Sequence, residues 1–255
     1  MTRDELPDGQ VRLGGAAAYG ALAAARLGVP TVLCTAAAPD DPVLAALSAT
    51  PRLQVHVVPA EATTTFGLAY AGGARQLVLR RRARPLTPAD VPPAFRAAPV
   101  AYVGPVAGEC DRALVDSLAG RFLGAGLQGW LRRRDSDGRV VPSLSPEVND
   151  PPALGCAIVS VEDHPEVEAV AARFAAKGAV AAITRGARGA TLIAADDRIE
   201  IPAVPAREVE PTGAGDVFGV VLTWRLAGGA SLAAAAADAA AAAARVVEGP
   251  GLGRL

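Results

Sequence analysis

The sequence predicts an α/β domain built on a largely parallel central sheet. Three observations carry this. Strand-like and helix-period segments alternate along almost the whole chain of 255 residues. Strand segments such as AIVSV (157–161) are short, continuously apolar runs, as in a sheet covered on both faces. Two further stretches read as hairpins, which would be antiparallel additions to that sheet.

In chain order, Gly15 to Leu27 is a small-residue helix, stopped by Gly28. VPTVLCTA (29–36) and LQVHVV (53–58) read as strands. TTTFGLAY (63–70) and RQLVLRRR (75–82) form a hairpin-like pair around Ala71-Gly72-Gly73-Ala74. Thr87-Pro88-Ala89-Asp90 reads as a helix start with threonine as N-cap. PVAYVGPV (99–106) is a strand, and Glu109 to Gly120 a helix. GCAIVSV (155–161), a helix from Glu166 to Lys177, and the strand AVAAITRG (179–186) follow. After the hairpin GATLIAADDRIEIPAV (189–204), two helices close the chain, Gly213 to Ala227 and Ser231 to Val247. The second is nearly all alanine, the best helix former and one that lets neighbours approach closely.

Composition excludes several function classes. A net charge of -1 does not favour a nucleic-acid partner. The one basic run, LRRRARP (79–85), reads as a solvated strand or loop. No apolar run reaches the ~18 residues of a membrane span, and the polar start MTRDELPDGQ is not a signal peptide. Cys34, Cys110 and Cys156 lie far apart without metal-like spacing, as expected for reduced thiols in a cytoplasmic protein. His56 and His164 are isolated, and Trp130 and Trp224 read as packing residues. Neither G-x-x-x-x-G-K-[ST] nor G-x-G-x-x-G occurs, which argues against a P-loop kinase and a Rossmann dehydrogenase.

The chemistry is concentrated in PTGAGD (211–216). Gly213 and Gly215 permit backbone conformations and close approaches that larger residues block. A helix starting there points free N–H groups outward at the positive end of its dipole, an anion site that needs no lysine. Asp216 in the first turn is a carboxylate beside that anion hole. The hole could hold charge on a transferring phosphoryl group while the acid takes a proton from the attacking hydroxyl. The residues alone leave open a simple helix-terminus acid.

VEPTGAGDVF closely resembles the C-terminal signature of the PfkB carbohydrate kinases, the ribokinase-like kinases. RLGGAAAYGALAAARLG (12–28), AITRGARGATL (182–192) and VVEGPG (246–251) resemble that family's glycine-pair segment, nucleotide-side strand and closing loop, in the family's order. The resemblance implies a three-layer fold with a mainly parallel sheet and a small β lid. It would be one kinase domain over residues 1–255, with lid segments at about 1–13 and 61–84. It implies ATP with Mg2+, and a candidate monovalent cation such as K+. By position, Asp216 falls on the catalytic base and Gly213, Ala214 and Gly215 on the anion hole. Thr184, Gly186 and Gly249 fall on the nucleotide side. Asp4 falls on the acid that binds substrate hydroxyls, and Gly14 and Gly15 on the pair that lets the sugar approach.

ATTTFGLAY (62–70), PVAGE (105–109) and LQGWLRRRDSDGRV (127–140) are similar to segments of the myo-inositol kinases of that family. They add Thr64, Glu109 and Gln128 as substrate contacts and make myo-inositol a candidate acceptor among small sugars and cyclitols. The lid's exposed strands would admit a homodimer. The sequence departs from the family in four places. The family's opening buried strand has no counterpart ahead of Asp4: either the start lies further upstream, or the protein has one strand fewer, which would leave ladder groups of a central sheet unpaired or covered by a partner subunit. Tyr19 stands where the family often has asparagine. Ser160-Val161-Glu162-Asp163 replaces its Asn-x-x-Glu motif, leaving Glu162 and Asp163 as metal candidates, and Glu210 opens the PTGAGD motif in place of a shorter acid. These departures keep a non-catalytic sugar- or nucleotide-binding member, or a nucleoside kinase, as alternatives.

Overall fold

The computed structural model describes residues 1–71, 74–195 and 197–249. A hairpin of β1 (Thr2–Glu5) and β2 (Val11–Gly14) leads into α1 (Ala16–Arg26). Only glycine serves at the junction: Gly15 has φ 92°, and a Cβ on it would lie 2.8 Å from the Thr2 amide nitrogen. β3 (Thr31–Ala37), the short α2 (Leu44–Ser48) and β4 (Leu53–Pro59) form a parallel pair of their own. β5 (Thr65–Ala71) and β6 (Ala74–Arg81) pair antiparallel and complete a small sheet in the order β2-β1-β5-β6. The glycines of the expected turn, Gly72 and Gly73, lie outside the described residues.

Thr87 and Asp90 form a capping box, but it opens a single 3-10 turn at Pro88–Asp90, followed by α3 (Pro93–Arg96). The remaining elements are β7 (Val100–Val103), α4 (Arg112–Asp116), β8 (Phe122–Gly126), β9 (Arg132–Arg134), β10 (Val140–Pro142) and α5 (Pro146–Asn149). Then come β11 (Cys156–Ser160), α6 (Val167–Ala176), β12 (Val180–Thr184), β13 (Ala190–Ala194), β14 (Asp197–Ile201), α7 (Ala214–Ala227) and α8 (Leu232–Val247). The larger sheet runs β14-β13-β12-β11-β8-β7. Its β7, β8, β11 and β12 are parallel, and β13 and β14 are antiparallel additions.

The α/β expectation therefore holds, with corrections. β8, FLGAG, lies between β7 and β11 but was not read as a strand, because two of its five residues are glycines. Gly124 is there for packing: a Cβ would sit 2.2 Å from the Thr223 hydroxyl of α7. The helix expected over Glu109 to Gly120 shrinks to α4, because Asp111 caps it by accepting the Leu114 N–H. The basic segment after Trp130 is a hairpin, β9 with β10.

Each face of the larger sheet is covered. Phe174, Val170 and Ala171 of α6 pack with Leu123, Trp130 and Val159 on one side. On the other, Leu22 of α1, Val217 and Leu222 of α7 and Ala235 and Ala239 of α8 pack with Ile158 and Leu192. Alanine on α8 lets the helices close up on the sheet. This sets the start of α7 beside the ends of the parallel strands, where α/β sheets hold ligands. Among the described residues β7 pairs only with β8, and β3 only with β4, so each presents one edge without ladder bonds. Thr2–Glu5 joins the small sheet rather than either edge. No described helix is long and apolar enough to cross a membrane.

Candidate active site

The start of α7 is the centre of the site. Gly213 is its N-cap in the left-handed region, φ 85°, with no side chain capping the helix. A Cβ on Gly213 would lie 2.3 Å from the ring of Tyr19, which is buried against this turn. Of the three residues expected to form the anion hole, Ala214 departs from expectation: its N–H is turned to the Pro211 carbonyl at 3.2 Å. Among the described residues the N–H groups of Gly213, Gly215 and Asp216 have no such acceptor. The open amides are therefore those on either side of Ala214, and Gly215 faces open space.

Asp216 stands in the first turn and accepts no hydrogen bond from the described residues. Burial pushes its acid up to about 7, the charge of Asp163 adds to this, and Arg132 and the Met1 amino group oppose it. Asp163 is fixed by two donors: Ser160 N–H at 2.7 Å and Gln128 Nε2 at 3.2 Å. Its acid is also raised, chiefly by burial. Gln128, expected as a substrate contact, thus orients Asp163. Glu162, the other expected metal candidate, is exposed and spends its N–H on the Ser160 hydroxyl. Among the described residues no group of three or more His, Cys, Asp or Glu is placed to hold a metal ion. Asp163 and Asp216 repel each other across the site, and two such carboxylates fit a small hard cation shared with donor phosphates.

On the facing side Asp4 accepts from the Thr2 hydroxyl at 2.8 Å, and burial raises its acid. Gly14 makes room for that carboxylate, since a Cβ would meet Asp4 Oδ2 at 2.2 Å. The glycine pair therefore admits Asp4 and Thr2 themselves, not only a ligand. Glu109 binds the N–H groups of Val106 and Ala107 at 3.0 and 2.6 Å and so braces the turn after β7. Thr64 is buried, and its hydroxyl accepts the Ala83 N–H at 3.0 Å, tying the small sheet together. Thr184 ends β12 and Gly186 starts the exposed turn after it. Gly249 is buried, and the loop beyond it lies outside the described residues. Glu210 pairs with Arg12 at 3.2 Å.

One central residue escaped the sequence reading. Arg132 on β9 donates from Nε to the Val106 carbonyl at 2.8 Å, and its guanidinium stacks over Phe66 at 5.0 Å. Its two terminal nitrogens have no partner among the described residues. It is the cation that faces Asp163, Glu109, Asp216 and Asp4 together. The signal was present in Arg132-Arg133-Arg134, but a strand turns alternate side chains to opposite faces, and the run does not say which one turns in.

Residues 154–254 match the family described as pfkB family carbohydrate kinase. A pyrophosphate-dependent kinase of the ribokinase family, solved with sulfate, superposes with a TM-score of 0.84 at 20% identity, covering 98% of this chain and 93% of that one. The fold is ribokinase-like. Ribokinase from Thermotoga maritima matches with a TM-score of 0.73 at 16% identity, over 98% of this chain and 91% of that one. Fructokinase from Vibrio cholerae O395, solved with fructose, ADP and calcium, also gives 0.73, at 18% identity with the same coverage. No curated protein matches the sequence. Within this ribokinase-like chain, the PfkB resemblance of PTGAGD is upheld over the C-terminal part, and the matched stretch includes Asp163, Thr184 and the whole start of α7.

Proposed function

We propose that this protein transfers a phosphoryl group from a phosphoanhydride donor to a hydroxyl of a small sugar or cyclitol. The observation that carries the reading is Asp216: a carboxylate with no hydrogen bond among the described residues, its acid raised to about 7, beside amides at a helix start that no described residue caps. A base poised near neutrality both holds its charge and drives proton transfer. The acceptor hydroxyl lies between Asp4 and Asp216 beneath the small sheet, which acts as the lid. Asp216 removes its proton while the hydroxyl oxygen bonds to the terminal phosphorus of the donor. The bond from that phosphorus to the bridging oxygen breaks, and the shortened phosphate leaves with the electron pair. The amides of Gly213, Gly215 and Asp216 and the terminal nitrogens of Arg132 hold the charge on the phosphoryl oxygens. Mg2+, held by Asp163 with the donor, would neutralise the remaining phosphate charge.

ATP is the donor implied by the resemblance to PfkB kinases, with Thr184, Gly186 and Gly249 beside it. Pyrophosphate is a second reading, favoured by the closer superposition of the pyrophosphate-dependent kinase, 0.84, than of the ADP-bound fructokinase, 0.73. A panel of sugars, nucleosides and cyclitols including myo-inositol, assayed with each donor, decides both substrates. Asp216→Asn should lower kcat by about 10²–10⁴ while donor binding is retained. A wild-type protein that phosphorylates no member of the panel with either donor is a non-catalytic binding protein instead.

A further inference from the structure

Two arginine triplets, fifty residues apart in the sequence, line one cleft outside the Asp216 turn. The Leu79 N–H donates to the Gly138 carbonyl at 2.8 Å, and Val78 bridges Arg139, so the β9–β10 hairpin docks along β6. This brings Arg80-Arg81-Arg82 beside Arg132-Arg133-Arg134 around a cleft of about 610 Å³. Its floor and far wall are Val106 to Gly108, Trp130, and Ser145 to Glu147. Six arginines thus face one acid, Glu147, in a chain whose net charge is -1. Three of the six are committed elsewhere. Arg80 pairs with Glu5 at 2.6 Å, Arg82 donates to the Gly108 carbonyl at 2.6 Å, and Arg132 turns toward the catalytic carboxylates. Arg81, Arg133 and Arg134 are exposed, and their guanidinium groups have no hydrogen bond or ion pair among the described residues.

Like charges gathered without counter-charges repel one another, and a bound anion relieves the repulsion. Guanidinium groups suit linked phosphates because each offers a planar fork of donors. We infer that this cleft binds a small polyphosphate anion, at a site distinct from the donor position at α7. The volume suits a molecule no larger than a nucleotide. A single-stranded nucleic acid would need stacking platforms, and the one aromatic of the lining, Trp130, is only 1% exposed. The inference does not depend on phosphotransfer by Asp216.

The test is calorimetric titration of the full chain with inorganic tripolyphosphate and with ATP, repeated for Asp216→Asn and for the triple variant Arg81→Ala, Arg133→Ala, Arg134→Ala. The expected result is a saturable, salt-sensitive class of one equivalent that the triple variant weakens at least tenfold and Asp216→Asn leaves unchanged. Tripolyphosphate should displace ATP from that class, since the phosphates are what the arginines read. Circular dichroism and a phosphotransfer rate equal to wild type certify that the triple variant is folded. Unchanged affinity and stoichiometry in the triple variant would overturn the site. ATP binding there without tripolyphosphate competition, or a single-stranded oligonucleotide binding at least tenfold tighter than tripolyphosphate, would overturn the polyphosphate assignment. Loss of phosphotransfer activity alone would bear on the α7 site and leave this one standing.

Discussion

Asp216 sits where two requirements conflict. The proposed role as base needs its oxygens free of hydrogen bonds, while burial and the charge of Asp163 penalise the ionised form. The folded-state acid, near 7, is above the value near 3.8 of an ordinary aspartate. A raised acid contributes nothing unfavourable while both states are protonated, at low pH. Its ionisation costs stability progressively as pH rises through 4 to 7, and the full cost is present above 7. Asp216→Asn removes the charge, so it should stabilise the protein at pH 8 by about 2–4 kcal/mol, a gain that fades toward pH 4. Thermal melts of both proteins across that range would measure it, and a variant less stable than wild type at pH 8 would rule out the strained carboxylate. The same ionisation gives kcat/KM an acidic limb, with activity rising as pH passes through about 7. Arg132 partly offsets the repulsion.

At the scale of elements, the turn into α7 separates two glycines that the motif writes alike. Gly213 has φ 85° and presses on Tyr19, so any side chain there is strained and also clashes. Gly215 lies at an ordinary φ with nothing near its missing Cβ. Gly213→Ala should therefore lower stability by about 2 kcal/mol or more. Gly215→Ala should leave stability within about 0.5 kcal/mol yet lower kcat, because its methyl enters the space a phosphate needs. Urea midpoints set beside turnover numbers test the pair, and full activity in Gly215→Ala would remove the anion hole from the mechanism. The helix start at Gly213 was legible because the motif carries its own backbone logic. β11, β12, α7 and α8 were legible because their apolar periods are uninterrupted. β8 was not, since its glycines answer to Thr223 and Tyr102 across the sheet, contacts that no local pattern encodes. Arg132 was missed, and the hydrogen bonds of Gln128 and Thr64 were not legible, for the same reason: their partners lie 26, 35 and 19 residues away.

For the molecule as a whole, the site depends on sheets that share no strand-to-strand ladder among the described residues. α7 and Asp163 belong to the six-stranded sheet, Asp4 to the small one, and Thr35, which receives the Met1 amino group at 3.0 Å, to the β3–β4 pair. What unites them is apolar packing: Leu33 and Ala37 of β3 share a core with α1, α7 and α8, and Ala36 packs into the core with Val103 of β7. The unpaired edges have a measurable consequence. Thr31 donates to the Arg52 carbonyl and Ala60 to that of Ala37, so the odd-numbered residues of β3 turn their backbone toward β4. Val32, Cys34 and Ala36 must then point their N–H groups the other way, where no described residue accepts them. Hydrogen exchange should show this alternation: slow at Leu33 and Thr35, faster by orders of magnitude at Val32, Cys34 and Ala36. β11 and β12, bonded on both sides, should be the most protected strands of the chain. Uniform protection along β3 would mean that a further strand lies against this edge in solution, joining β3 to β7 and making the segments beneath the site one continuous sheet.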